Sequence, residues 1–239
     1  MSEKVKRFYD EFADLQAQRG TNQRHLRIME WLQLYGLAED SQVLEIGCGI
    51  GTQTELIANT VGSGRILAND ISPRSVEMAR KRLVGHPQVD FLVGDIVQLD
   101  VPGIFDFVVL PDVLEHIPIE GHFELFRKIA GLLSKSGIVV VHIPAPQYLE
   151  WIRLNHPEQL QVIDQPLHMA PFMGKVAGAG LYPHEIRHYS LWTDGPDAVV
   201  LALKHYRNDL PFNLSDRKVG WLGTVKRQLA RVKSGFTGG

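Results

Sequence analysis

The stretch Val43-Leu44-Glu45-Ile46-Gly47-Cys48-Gly49-Ile50-Gly51-Thr52 decides the fold. It opens as an apolar strand, stops at an acidic, glycine-rich turn, and enters a helix through Thr52-Gln53-Thr54-Glu55-Leu56-Ile57. A turn so dense in glycine lets the backbone approach a ligand closely, because no Cβ intervenes. The helix that follows points its unpaired N–H groups into the same space. A small bound molecule is expected there. Two common ligands fail a residue count. The dinucleotide fingerprint G-x-G-x-x-G needs a glycine at position 52, where the chain has Thr52. A phosphate-binding P-loop needs a following Gly-Lys-Ser/Thr, which is absent from this turn.

Strand-like and helix-like segments alternate outward from this turn. Arg65–Asp70 is a short apolar run ending in an acid, and Pro73 stands where a helix can begin. Val76, Ala79 and Leu83 continue it as a stripe at helical spacing. Val89–Val93, Phe105–Leu110 and Gly137–Ile143 are further strand candidates, followed by Gly94-Asp95, Pro111-Asp112 and Pro144. Near-continuous apolar strands separated by helices imply a parallel sheet buried on both faces. The runs 185–193 and 196–206 are also strand-like, and Asp194-Gly195 between them is a hairpin signal.

The glycine-rich turn resembles the first motif, E-x-G-x-G-x-G, of class I, Rossmann-like S-adenosylmethionine (SAM) dependent methyltransferases, matched by Glu45, Gly47, Gly49 and Gly51. The resemblance covers roughly residues 40 to 145 well and the hairpin less well. It implies an α/β fold: a doubly wound, mostly parallel seven-stranded sheet ending in an antiparallel hairpin, with helices on both faces. It also implies SAM as cofactor and S-adenosylhomocysteine as product.

Four acids fall at or just past strand ends, Glu45, Asp70, Asp95 and Asp112. Ligands of open α/β sheets lie at the strands' carboxyl ends. The alternative is that each acid caps a helix, a common task for Asp. Asp70 follows Gly51 by 19 residues, close to the spacing of a ribose-binding acid. The resemblance assigns Asp70 to both ribose hydroxyls, Asp95 to the adenine amino group, and the Ile96 N–H to a ring nitrogen. It places Ile71 on the adenine face and Glu45 near the ammonium of the methionine moiety. The backbone of Gly47, Cys48 and Gly49 would lie beside the cofactor, and the carbonyls of Leu110 and Pro111 would hold its amino group. Tyr9-Asp10-Glu11-Phe12-Ala13 resembles the mobile lid of small-molecule methyltransferases, with Tyr9 against the cofactor. Val5, Phe8, Phe12 and Leu15 at helical spacing equally fit a helix packed on the sheet.

Methylating a hydroxyl needs in-line approach and removal of a proton, for which histidine is the natural base. His116, in Val113-Leu114-Glu115-His116-Ile117-Pro118, is the base candidate, because this run resembles one bordering the acceptor pocket of small-molecule methyltransferases. His142 and His168 are candidate substrate contacts; for each histidine a structural role is the alternative. Asp112/His116 and Asp164/His168 are spaced i, i+4 and could each offer two metal ligands on a helix, but no third ligand accompanies them and no metal is expected. The Asn/Asp-Pro-Pro-aromatic turn of amino-methylating nucleic-acid enzymes is absent at Leu110-Pro111-Asp112-Val113, and the one cysteine lies in the glycine loop, so a small acceptor is expected and not nucleic acid.

The chain of 239 residues, 44% hydrophobic and 22% charged with net charge -2, has the size and balance of one soluble α/β domain. The start lacks the apolar core of a signal peptide, and a cytoplasmic location is expected. The expected layout is a helical lid at 1–36, a core at 37–206 with a substrate cap at about 144–184, and a basic tail at 207–239. From Asp216 the tail holds six basic residues against one acid, with Trp221, Leu222, Val225, Leu229 and Val232 in a helical stripe. Such a helix docks on its own domain or makes weak peripheral contact with an anionic membrane. The sequence reading is an O-methyltransferase of a small metabolite. N- or C-methylation of a small, lipid- or sugar-linked acceptor, or SAM binding without turnover, remain its alternatives.

Overall fold

The computed structural model describes residues 20–161 and 163–206. Tyr9 and the basic tail lie outside the described residues. Seven strands form one sheet: β1 (Gln42–Ile46), β2 (Arg65–Asp70), β3 (Val89–Val93), β4 (Phe105–Pro111), β5 (Leu133–Pro144), β6 (Leu181–Tyr189) and β7 (Ala198–His205), in the order β3-β2-β1-β4-β5-β7-β6. β1 to β5 pair in parallel, and β7 runs antiparallel to both β5 and β6. The expected doubly wound sheet with a terminal hairpin is what forms.

Strict alternation along buried strands builds two apolar layers. Leu44, Leu67, Val108, Val139 and Leu201 face one side, where helices α4 (His122–Leu132) and α6 (Met169–Gly178) cover them with Phe126, Ile129, Phe172 and Val176. Val43, Ile66, Phe107, Val140 and Val200 face the other, under α1 (Gln23–Leu34) and α2 (Thr52–Ala58), which bring Ile28, Leu32 and Ile57. Helix α3 (Pro73–Arg82) seats Val76 beside Ala68 on that second face. Helix α5 (Pro146–Asn155) follows the carboxyl end of β5. No helix among the described residues is long and apolar enough to cross a membrane.

Within the expected lid, residues 23–34 are therefore a packed helix, fixed by a capping box. The Asn22 side chain accepts from Arg24 N at 3.1 Å, and Asn22 N donates to His25 Nδ1 at 3.2 Å. The expected cap is divided: residues 146–164 border the carboxyl edge of the sheet, while α6 packs on α4, Phe172 meeting Phe126 edge-on at 5.5 Å.

The hairpin forms with a longer turn than Asp194-Gly195 implies. β6 ends at Tyr189 and β7 starts at Ala198. The buried Asp197 carboxylate accepts the N–H groups of Leu191, Trp192 and Thr193 at 2.8, 2.7 and 2.8 Å, so these cannot join a strand ladder. Replacing Asp197 by Ala leaves those donors without their anion. A loss of about 2 kcal/mol in urea unfolding is expected; an unchanged midpoint would refute the role given to Asp197.

Candidate active site

The parallel strands end along one edge of the sheet, and a cavity of about 420 Å³ opens there. The loop after β1 turns through left-handed backbone at Gly47 (φ 79°) and Gly51 (φ 81°). Gly47 and Cys48 donate to the Asn69 carbonyl at 2.7 and 2.9 Å, tying the loop to the end of β2. Cys48 is buried, and burial, reinforced by Asp70 and Glu45, pushes its thiol up; it stays a neutral thiol.

Asp70 accepts from Gly49 N at 2.8 Å and from Ser72 N at 2.9 Å, one bond to each oxygen. A carboxylate oxygen that accepts one backbone N–H can accept a second donor. Asp95 accepts from Val97 N at 3.1 Å. The capping and ligand-binding readings of these acids are thus compatible. Glu45 is different. It is fully buried on the α2 side of the sheet, and neither carboxylate oxygen has a hydrogen bond of normal geometry among the described residues. Burial raises its pKa to about 7; the nearby Thr54 hydroxyl opposes that and Asp70 adds to it. A buried carboxylate with no cation beside it and only a nearby hydroxyl, lining a cavity, fits a cationic group of a ligand.

Of the expected residues, Glu45, Gly47, Cys48, Gly49, Asp70, Ile71, Asp95, Ile96, Pro111, His116 and His142 all line this cavity. Leu110 and His168 do not. Leu110 is buried in the α4-side core, and His168 is at the surface 3.2 Å from Glu150.

The i, i+4 pairs exchange partners. Asp112 has left-handed backbone (φ 54°), so it does not share a helical face with His116. It meets His142 Nδ1 at 2.5 Å through Oδ1 and Arg24 Nη1 at 2.7 Å through Oδ2. Burial alone would raise this carboxylate, but His142 and Arg24 outweigh it and hold Asp112 well below the usual range. Asp164 lies before α6 and pairs with His116 instead, Oδ1 to Nδ1 at 3.0 Å, where the Ile163 carbonyl also stands at 2.6 Å. Burial opposes the charge on His116, yet Glu115, Asp164 and that carbonyl raise its pKa to about 9. Gln165 completes the clamp, its N donating to the Glu115 carbonyl at 3.0 Å and its Nε2 to Ile117 at 2.9 Å. Among the described residues no group of three or more His, Cys, Asp or Glu is placed to hold a metal ion.

Sequence reasoning missed Arg24 and His25. Both line the cavity from the first turn of α1. His25 is lowered to about 4, by burial first and by Arg24 next, so it is neutral. The available signal was electrostatic: a cation in a helix's first turn opposes the helix dipole and needs another partner.

A family model described as a methyltransferase domain matches residues 43–137. An S-adenosylmethionine-dependent methyltransferase from Clostridium acetobutylicum ATCC 824 superposes with a TM-score of 0.65 at 13% identity, over 83% of this chain and 99% of that one. N-methyltransferase NodS from Bradyrhizobium japonicum WM9, in complex with S-adenosyl-l-homocysteine, gives 0.62 at 19% identity, over 77% of this chain and 86% of that one. Residues 43–137 carry a methyltransferase domain, on the fold of the SAM-dependent methyltransferases it superposes on. Trans-aconitate 2-methyltransferase of Escherichia fergusonii is 29% identical over 128 residues, 54% of this chain and 47% of that protein. The chain thus spans about half the length of the curated relatives it matches. Glu45, Asp70, Asp95 and the glycine turn at Gly47 and Gly49 line the same cavity of this domain.

Proposed function

We propose that the chain binds SAM and transfers its methyl group to a hydroxyl oxygen of a small acceptor. The observation that carries the SAM half is Glu45, a buried carboxylate with only the nearby Thr54 hydroxyl to offset its burial, in one cavity with acids at two neighbouring strand ends. In this reading Glu45 takes the ammonium, Asp70 the ribose and Asp95 the adenine amino group. Ile71 and the Ile96 N–H face the base, and the backbone of Gly47 to Gly49, with the Pro111 carbonyl, follows the methionine chain. Tyr9 would close over it. The bound sulfonium supplies an electrophilic methyl; the protein's part is to align the acceptor and take its proton.

The acceptor end supports a neutral hydroxyl. The curated relatives are named for trans-aconitate, a polyanion that calls for cations free to receive it. Among the described residues the cavity's Arg24 and His116 already stand against Asp112 and Asp164. His116 is held through Nδ1 by Asp164 and the Ile163 carbonyl, so in this reading it clamps residues 163–165 to the cavity wall and is not the base.

Calorimetry tests the reading. SAM and S-adenosylhomocysteine should bind and NAD should not. Asp70→Ala should weaken SAM at least about thirtyfold, because two hydroxyls lose a charged acceptor. Binding of NAD alone, or an unchanged SAM affinity in the variant, would overturn the assignment.

A further inference from the structure

The strand order divides the cavity. β3, β2 and β1 end at the acids assigned to the cofactor; β4 and β5 end beside them, with Pro111 opposite His142 in register. The acceptor half is therefore built on the ends of β4 and β5, closed by Tyr148 of α5 and Trp192 of the hairpin turn.

Asp112 holds its carboxylate here from a left-handed backbone conformation (φ 54°) that few non-glycine residues adopt. That conformation puts Oδ1 on His142 Nδ1 and Oδ2 on Arg24. An ionised carboxylate only accepts, so Nδ1 carries the hydrogen, and in the neutral imidazole Nε2 is a bare lone pair. Nε2 is buried and has no hydrogen-bond partner among the described residues, while the ring lines the cavity. The ring is held from β6 by Tyr189, edge-on at 5.8 Å. An imidazole fixed by a carboxylate through one nitrogen, with the other nitrogen unused, is the arrangement of an oriented general base.

We propose that His142 is the proton acceptor of the methyl transfer, with Asp112 and Arg24 as its positioning residues. This rests on the hydroxyl reading above. Nε2 takes the hydroxyl proton as the oxygen lone pair forms the new O–CH3 bond. The C–S bond breaks and its electron pair stays on sulfur, so the sulfonium becomes a neutral thioether. His142 is left as an imidazolium against Asp112 and returns its proton to solvent after product leaves. The charged and titratable groups around His142 are Asp112 after β4, Arg24 and His25 from α1, and Tyr189 from β6.

Two measurements on the full chain test it. Imidazole nitrogen NMR at pH 8 with S-adenosylhomocysteine present should show His142 with its hydrogen on Nδ1 and a bare Nε2. A hydrogen on Nε2 would overturn the proposal whatever the acceptor proves to be. In methyl transfer from labelled SAM to a panel of catechols, glycosides and polyols, His142→Gln should lose about a hundredfold or more in kcat. Asp112→Asn should lower kcat about tenfold with KM unchanged and move the pH profile, which a merely structural role would not do. His142→Gln turning over at the wild-type rate would also overturn it. S-adenosylhomocysteine affinity should stay within about twofold in His142→Gln. Loss of S-adenosylhomocysteine binding by the wild type, or labelling of carboxylates but no hydroxyl, would instead strike the underlying reading, and the NMR result would still decide the state of His142.

Discussion

Glu45→Gln is expected to stabilise the ligand-free chain and to weaken SAM binding in the same variant. The folded pKa of Glu45 is raised to about 7 from an ordinary 4.5, by burial first, with Thr54 opposing and Asp70 adding. The sign follows from linkage. An acid with a raised folded pKa keeps its proton in the folded state where the unfolded chain has lost it. Its destabilising effect is absent below about pH 4.5, grows as pH rises toward 7, and is complete above that. At pH 8 the wild type should have lost about 3 kcal/mol on this account. Glutamine carries no charge, so its unfolding free energy should be nearly flat over the same window. Urea unfolding at pH 5 and pH 8 checks this; parallel pH dependence in both proteins would refute it. SAM changes the sign, because an ammonium against the carboxylate repays the desolvation that Thr54 offsets only in part. The variant should bind SAM about fiftyfold more weakly, taking a charge-assisted hydrogen bond at the upper end of its range. A site that costs stability when empty and recovers it when filled is the mark of a binding residue, and a structural carboxylate would lose on both counts.

That contrast explains how much of the site the sequence already contained. The cofactor half is legible because it is local. Glycines and acids at strand ends follow directly from a chain that alternates strand and helix, and β2 and β3 occupy the residues their apolar runs indicate. The acceptor half is made of contacts between distant segments. Arg24, Asp112 and His142 come from the first described helix, the loop after β4 and the end of β5, and no spacing rule joins them. The i, i+4 spacing of Asp112/His116 and Asp164/His168 does not put either pair on one helical face, for an identifiable reason. The i, i+4 rule presumes a helix, whereas Asp112 is left-handed and Asp164 precedes the start of α6. The hairpin turn is a similar case: Asp-Gly is a good local signal, but a buried Asp197 two residues later captures three N–H groups and unzips the strand ends. His116 is in the cavity wall as its motif implies, and its partners at 163–165 come from a segment that no spacing rule joins to it.

Gly47→Ala should be strongly disruptive, and its cost should depend on Val113. Position 47 has φ 79°, where an L side chain costs roughly 1–2 kcal/mol in any surroundings. A Cβ there would also stand 2.2 Å from Val113 Cγ2 and 3.3 Å from its Cβ and Cγ1. Val113 is β-branched and stiff, and it opens the turn that carries Glu115 and His116, so it does not yield cheaply. Adding about 1–3 kcal/mol of overpacking brings the expected loss to about 4 kcal/mol. Any relief displaces Val113, which lines the cavity, so SAM affinity should fall along with stability. The double variant Gly47→Ala/Val113→Ala isolates the steric part. Removing both γ carbons leaves the 3.3 Å contact with Val113 Cβ, and about 2 kcal/mol of the loss should return as a favourable coupling. Strict additivity in that cycle would mean the glycine is required for its backbone angle alone. By contrast, at Gly51 the nearest atoms to an added Cβ, Ala79 Cβ and Leu83 Cδ1, are 3.0 Å away, and the same substitution should couple to α3 more weakly. The order of these two effects ties the glycine turn to the acceptor side of the site: its first glycine is small to make room for the segment after β4, which bears Asp112 and His116.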